Sequence, residues 1–198
     1  MIIGLCGAQG SGKDTVANIL VAKYGFVRIS FAAALKDVVA ILFSWPRHML
    51  EGDTAESRAW RLAPDAEWSL KMGIPGFNPR KALQMVGTDL IRDHIYINLW
   101  TDIVEKRIAM ILAANPKAKI VVSDCRFTNE VAVVKKFPGA RLVRIVRPEC
   151  EPLSSHSHLS SHSHLSETVD LSESVDITLV NNSTIEVLKT SVEMIINH

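Results

Sequence analysis

The sequence predicts an α/β fold, a doubly wound parallel sheet flanked by helices. Three observations carry this. Residues 2–6 (Ile-Ile-Gly-Leu-Cys) are apolar without alternation, the pattern of a strand buried on both faces. A Gly-rich turn, Gly7 to Gly12, joins that run to a helical pattern. Further β-branched runs at 119–123, 141–146 and 176–180 are set apart by helical or loop stretches, and such alternation argues for parallel strands.

The elements follow in order. Lys13 to Tyr24 carry apolar positions at Val16, Ile19, Leu20 and Val21, and Gly25 supplies a helix stop. Phe26 to Ile29 read as a second short strand, and Phe31 to Phe43 as a helix. From Trp45 to Asn78 the texture changes. Three tryptophans, three arginines, Pro64 and Pro75 suggest short helices and loops beside the sheet. Asn78-Pro79 is a cap and first-turn pair for a helix to about Val86. Asn98 is placed to cap the next, which carries Leu99, Ile103, Ile108 and Leu112. Lys119 to Ser123 form a strand ending at Asp124, and a helix near Asn129 to Phe137 follows. Arg141 to Val146 and Asp176 to Val180 are strands. Ser183 with Glu186 predicts a capping box for a last helix to about Ile196.

The chain has 198 residues, which suits one domain over 1–198. Residues 45–116 form the helical region within it, and 147–170 a lid or mobile loop. Apolar residues at 47% and charged residues at 22% exclude a disordered chain. The net charge is +1, so no strong field gathers nucleic acid or an anionic membrane. The apolar run Ile108 to Ala114 is far too short to span a bilayer. The start, Met1-Ile2-Ile3, has no basic leader region, so no signal peptide is expected. Cys6, Cys125 and Cys150 do not form a disulfide framework, which favours a reducing, cytoplasmic setting. Residues 155–160 and 161–166 repeat Ser-His-Ser-His-Leu-Ser, a duplication suited to a surface loop. His156, His158, His162 and His164 allow a zinc reading, but no cysteine lies among them. A metal-free loop is the competing reading.

The chemistry concentrates at Gly7-Ala8-Gln9-Gly10-Ser11-Gly12-Lys13, which fits the Walker A pattern up to the lysine. Glycines let the backbone wrap an anion, and the following helix N-terminus adds partial positive charge. Lys13 is the residue that reaches the β- and γ-phosphates. The usual Ser or Thr after the lysine is replaced by Asp14, with Thr15 next. Thr15 is the candidate for the metal. Asp14 either approaches the phosphates through Mg²⁺ or serves as a first-turn helix charge. Both readings stand.

Further segments resemble one family. The Gly-Lys-Asp-Thr form occurs in a subset of small-molecule phosphate-loop kinases. Leu83-Gln84-Met85-Val86-Gly87-Thr88-Asp89-Leu90-Ile91, with Arg80 before it, is similar to a segment of the deoxynucleoside monophosphate kinases of bacteriophages and large DNA viruses. Val122-Ser123-Asp124-Cys125-Arg126 with Glu130 resembles that family's Asp-x-Arg…Glu turn. Val146-Arg147-Pro148, His164-Leu165-Ser166-Glu167 and Glu51-Gly52-Asp53-Thr54 with Trp60-Arg61 also match. The duplicated hexapeptide departs from the family by lengthening the loop before His164.

The resemblance implies a nucleoside monophosphate kinase-like fold with a helical acceptor-binding insertion. It implies transfer of the γ-phosphoryl group of Mg²⁺-ATP to a deoxynucleoside 5′-monophosphate. ATP would lie on Gly7, Gln9, Gly10, Ser11, Gly12, Lys13, Asp14 and Thr15, with Arg147 and Asn182. Mg²⁺ would lie near Thr15 and Asp124. Catalytic roles fall to Lys13, Asp124 and Arg126. The acceptor would be held by Lys36, Arg80, Gln84, Trp100, Arg126, His164 and Glu167. Trp100 either stacks on the acceptor base or is a core tryptophan, and Gln84 bonds either the base or backbone. Asn181-Asn182-Ser183 either touch adenine or turn and cap the last helix. Partners are small nucleotides, not nucleic acid or membrane, with a homodimer allowed. Two alternatives stay open: a dephospho-coenzyme A kinase-like enzyme and a non-catalytic nucleotide-binding module. The Trp-rich insertion favours a nucleobase acceptor.

Overall fold

The protein, seen here in a computed structural model, is described over residues 1–148 and 170–197. The duplicated hexapeptide, with His164 and Glu167, lies outside the described residues. Among the described residues five parallel strands form one sheet: β1 (Ile2–Cys6), β2 (Val27–Ile29), β3 (Ile120–Val122), β4 (Arg141–Val146) and β5 (Ile177–Val180). Their order is β2-β3-β1-β4-β5. All five residues of β1 are buried, as a central strand covered on both faces requires.

Register sets where the site can be. Gly4 pairs with Val122 of β3, and Cys6 with Arg144 of β4. The carboxyl ends of β1, β3 and β4 therefore lie side by side. The segments leaving them start at Gly7, Ser123 and Arg147. In open parallel sheets, ligands bind outside the carboxyl ends of the strands.

The chain divides into two compact units. One comprises Met1–Ser30 with the described residues from Val104 onward, and the other Phe31–Ile103. The first contains the sheet. Its core joins Ile3 and Leu5 of β1 to Val16, Ala17 and Leu20 of α1 (Lys13–Tyr24) and to Leu188 and Val192 of the last helix. α1 ends where the expected stop places it, at Gly25. A further helix, Thr128–Lys135, follows β3. The last helix spans Ile185–Asn197. The capping box expected from Ser183 and Glu186 is not formed. Thr184 stands just before the helix, with its hydroxyl 3.5 Å from the Val187 amide, and Glu186 instead pairs with Lys189 at 2.8 Å.

The second unit is helical. It holds α2 (Ala32–Phe43), a short 3₁₀ turn at Arg47–Leu50, α3 (Ala55–Leu62), α4 (Ala66–Met72) and α5 (Pro79–Gln84). Asn78 caps α5 through the Lys81 amide at 2.9 Å, as expected. The expected stop near Val86 is replaced by a wide π-helical segment over Met85–Ile95. A long helix, Leu99–Ala114, then carries the chain back to the sheet unit. Phe43 and Trp45 stack at 4.6 Å, and Trp68 and Trp60 meet them edge-on. Trp45 donates to Asp65 at 2.9 Å, and Trp68 to the Phe43 carbonyl at 3.1 Å. These tryptophans build the unit's own core with Leu50, Phe77 and Leu83. The inference from them to a nucleobase acceptor loses its footing.

Candidate active site

The loop after β1 turns through left-handed backbone. Gly7 has φ 138° and Gly12 has φ 104°, conformations that side chains rarely adopt. A Cβ on Gly7 would run into the Ile145 carbonyl oxygen, and one on Gly12 into the Asn181 amide. Lys13 folds back across the loop and donates to Gly7 O and Ala8 O, both at 2.7 Å. Asn181, after β5, donates to Ser11 O at 2.9 Å. The Ser11 hydroxyl is fully buried and has no hydrogen-bond partner among the described residues. Such a group points to a missing acceptor, and a phosphate oxygen in the cradle suits it.

Electrostatics gather at the same end of the sheet. Burial first, and the nearby Arg126 guanidinium second, lower the Lys13 ammonium from its ordinary value, against opposing pulls from Asp14, Cys6 and Asp124. The Arg126 side chain is exposed. Its backbone amide donates to Glu130 at 2.7 Å, and the Phe127 amide to the same oxygen at 3.2 Å. Glu130 is only 2% exposed, so a buried carboxylate fixes the turn that carries Arg126. Asp124 is half-buried and accepts from the Ser30 hydroxyl at 2.7 Å. Both nearby thiols, Cys6 and Cys125, are buried and held toward the protonated form. Burial pushes Cys6 up to about 11 and Cys125 well above its ordinary value.

Asp14 is exposed and ion-paired to Arg28 of β2. Arg28 also donates to Asn18 at 3.0 Å and to Ser123 at 3.1 Å. Arg28, in a three-residue strand, and Ser30, just after it, escaped the sequence reading, since nothing in so short a run marks them. Arg147, Pro148 and residues 181–184 line a cavity of about 340 Å³, which brings Arg147 and Asn182 together. A larger cavity of about 590 Å³ lies between β5 and the last helix, around Ile177, Leu179 and Met194, away from the loop residues.

Thr15 lies in the first turn of α1, and the expected acceptor residues Lys36, Arg80, Gln84 and Trp100 fall in the helical unit. Lys36 is tied to Glu51 at 2.6 Å, and Arg47 bridges Glu51 and Asp37 at 2.5 Å each. Arg80 and Gln84 lie one helical turn apart on α5, both half-buried. Trp100 is 4% exposed, and its indole N–H donates to Gly87 O at 3.1 Å. That placement suits a ring supporting the π-helical segment, not one offered to a base. Among the described residues no group of three or more His, Cys, Asp or Glu is arranged to hold a metal. The histidines of the zinc reading lie outside the described residues. Among the described residues no helix is long and apolar enough to cross a membrane.

A parallel sheet whose first strand feeds a lysine-closed glycine loop and a helix defines a P-loop kinase fold. The fold is similar to that of dephospho-CoA kinase from Campylobacter jejuni, at a TM-score of 0.50 and 14% identity, covering 99% of this chain and 95% of that one. A family profile described as deoxynucleotide monophosphate kinase matches residues 70–192. A protein of Acanthamoeba polyphaga mimivirus, named as a deoxynucleotide monophosphate kinase, is 36% identical over 94% of this chain and 91% of its own length. The deoxynucleoside-5′-monophosphate kinase of Escherichia phage T5 is 24% identical over 69% of this chain and 72% of its own. The chain belongs to the deoxynucleotide monophosphate kinase family, and it is a nucleotide kinase.

Proposed function

We propose that the protein transfers the γ-phosphoryl group of ATP to the 5′-phosphate of a deoxynucleoside monophosphate. An acceptor phosphate oxygen forms a bond to the γ-phosphorus. The bond from that phosphorus to the β,γ-bridging oxygen breaks, and ADP leaves with the electron pair. The products are ADP and a deoxynucleoside diphosphate. The observation that carries this reading is the buried Ser11 hydroxyl, without a partner among the described residues, inside a loop closed by Lys13. It fits a bound phosphate.

Such transfer needs little covalent help, and positioning with charge neutralisation does most of the work. Lys13 binds the donor phosphates once they compete with its loop carbonyls. Arg126, exposed and held by Glu130 at its backbone, spreads positive charge over the transferring group. The cavity by Arg147 and Asn182 takes the adenine end of the donor. The Thr15 hydroxyl and the Asp124 carboxylate are hard oxygen donors. They fit Mg²⁺, which accepts one or two protein oxygens beside phosphate and water. When bound, Mg²⁺ would neutralise phosphate charge. Ser30 keeps Asp124 oriented for that role.

The acceptor side falls to the helical region 45–116 with Lys36. Arg80 and Gln84 share one face of α5 and offer a guanidinium for the acceptor phosphate and an amide for its base. Most of the segment expected to be a lid or mobile loop, 147–170, lies outside the described residues. The test is ADP formation from Mg²⁺-ATP with dTMP, dGMP, dCMP or dAMP, beside dephospho-coenzyme A and a no-acceptor control. Turnover with a deoxynucleotide is expected and identifies the base. Turnover only with dephospho-coenzyme A replaces the acceptor. Binding of ATP without turnover on any acceptor overturns the reading.

A further inference from the structure

The phosphate loop carries an apparent contradiction. The residue after its lysine is Asp14, where a Ser or Thr hydroxyl ordinarily meets the metal. A carboxylate there repels a triphosphate. At 73% side-chain exposure it is not neutralised by burial. The first turn of a helix also favours a negative charge, so the backbone alone does not move it.

The answer lies on the neighbouring strand. Arg28 of β2 pairs with the Asp14 carboxylate and uses its fork three ways at once. One nitrogen takes Asp14, a second donates to Asn18 Oδ1 at 3.0 Å, and Nε donates to Ser123 Oγ at 3.1 Å. Asp14 and Asn18 stand one turn apart on α1, the helix that follows the loop. Ser123 is 3% exposed and directly precedes Asp124. One guanidinium thus joins the start of the loop's helix to the end of β3. A lysine could meet the charge but not this planar, three-partner geometry.

We propose that Arg28 is a positioning residue of the phosphate site: it draws the Asp14 carboxylate toward β2 and cancels its charge, which makes the Gly-Lys-Asp-Thr loop compatible with a triphosphate. Arg28 acts through Asp14 and not by touching the nucleotide. The proposal rests on the reading of Gly7–Lys13 as the ATP site.

A double-mutant cycle tests it, read by calorimetric ATP affinity, by KM and kcat, and by thermal unfolding of the nucleotide-free protein. Arg28→Gln is expected to weaken ATP binding about tenfold or more, the scale of one uncompensated charge near a partly exposed anion. Its kcat at saturating ATP is expected to change much less. Asp14→Asn alone removes the repelling carboxylate and leaves the Arg28 charge in place, so it is expected to bind ATP more tightly than the parent. The double variant Arg28→Gln/Asp14→Asn is expected to recover affinity to within about threefold of the parent, since no charge is left to cancel. Arg28→Lys is expected to fall between. A double variant as weak as Arg28→Gln overturns the proposal, because Arg28 then acts on the nucleotide directly. Unchanged ATP affinity in Arg28→Gln also overturns it. If Arg28→Gln does not fold, Arg28→Lys and Asp14→Asn decide: weakened binding in Asp14→Asn, or parental binding in Arg28→Lys, rejects the proposal. A parent protein that binds no ATP removes the underlying site, and the proposal with it.

Discussion

The Lys13 ammonium sits 2.7 Å from the Gly7 carbonyl oxygen, so the lysine closes the loop that precedes it. An equal bond to Ala8 O spreads the tie over two peptide units. Lys13→Ala removes both bonds and the charge meant for the phosphates. The loop keeps the Ser11 N–H to Ala8 O bond at 3.2 Å and the Asn181 bond at 2.9 Å. The fold is therefore expected to survive, while turnover falls by about 10²-fold or more, the scale of one lost preorganised donor. Circular-dichroism melting beside ADP formation checks both halves. A rate like the parent's removes Lys13 from the mechanism.

Arg126 combines an exposed side chain with a fixed backbone, since buried Glu130 takes its amide at 2.7 Å. That pairing presents a guanidinium without loose main chain behind it. Arg126→Ala is expected to lower kcat by about 10³-fold or more, as for other arginines that stabilise phosphoryl transfer. Its unfolding temperature should stay near the parent's. Steady-state kinetics with saturating ATP and acceptor measure this. A loss below tenfold makes Arg126 a structural residue.

Much of the sheet unit was legible because its signals are local. Ile2–Cys6, the glycine loop and Gly25 each carry their own backbone requirement, and the structure keeps all three. Arg28 was not legible. Its partners Asp14, Asn18 and Ser123 come from two other elements, and a polar residue on an edge strand looks like any solvated one. The tryptophans misled for a related reason. A Trp-rich stretch marks large apolar surface but not which way it faces, and here the rings face each other. The wide helix over Met85–Ile95 escaped as well. Apolar spacing anticipates ordinary helix, whereas the Trp100 bond to Gly87 comes from outside the segment.

The pair of Glu51 and Lys36 predicts a pH dependence of stability. Burial alone would raise the Glu51 carboxyl, but Lys36 and then Arg47 outweigh it and hold the group below its ordinary 4.5. A carboxyl lowered by folding stabilises the protein above its unfolded value. That contribution is lost as pH falls below about 4.5 and through the lowered folded value. Glu51→Gln removes the titration. Its unfolding temperature is expected to lie below the parent's near neutral pH and to converge on it in acid. Melting curves for both proteins across that range decide the point, and parallel curves would reject the assignment.

Trp100 gives the sharpest test on the acceptor side, because its two roles predict opposite behaviour for a phenylalanine. The indole is 4% exposed and bonds Gly87 O at 3.1 Å, within the Leu83–Ile91 segment. If the ring supports that segment, Trp100→Phe loses the bond and costs about 1–3 kcal/mol, the usual penalty for stranding a buried acceptor. The acceptor KM then rises, because the segment next to Gln84 loosens, while the ATP KM stays put. If the ring instead stacks on a base, phenylalanine still stacks, and both stability and acceptor KM change little. Chemical denaturation and acceptor titrations on Trp100→Phe and Trp100→Ala separate the two. We expect Trp100→Phe to lose stability. A phenylalanine variant as stable as the parent, with only Trp100→Ala raising the acceptor KM, would return the ring to the base.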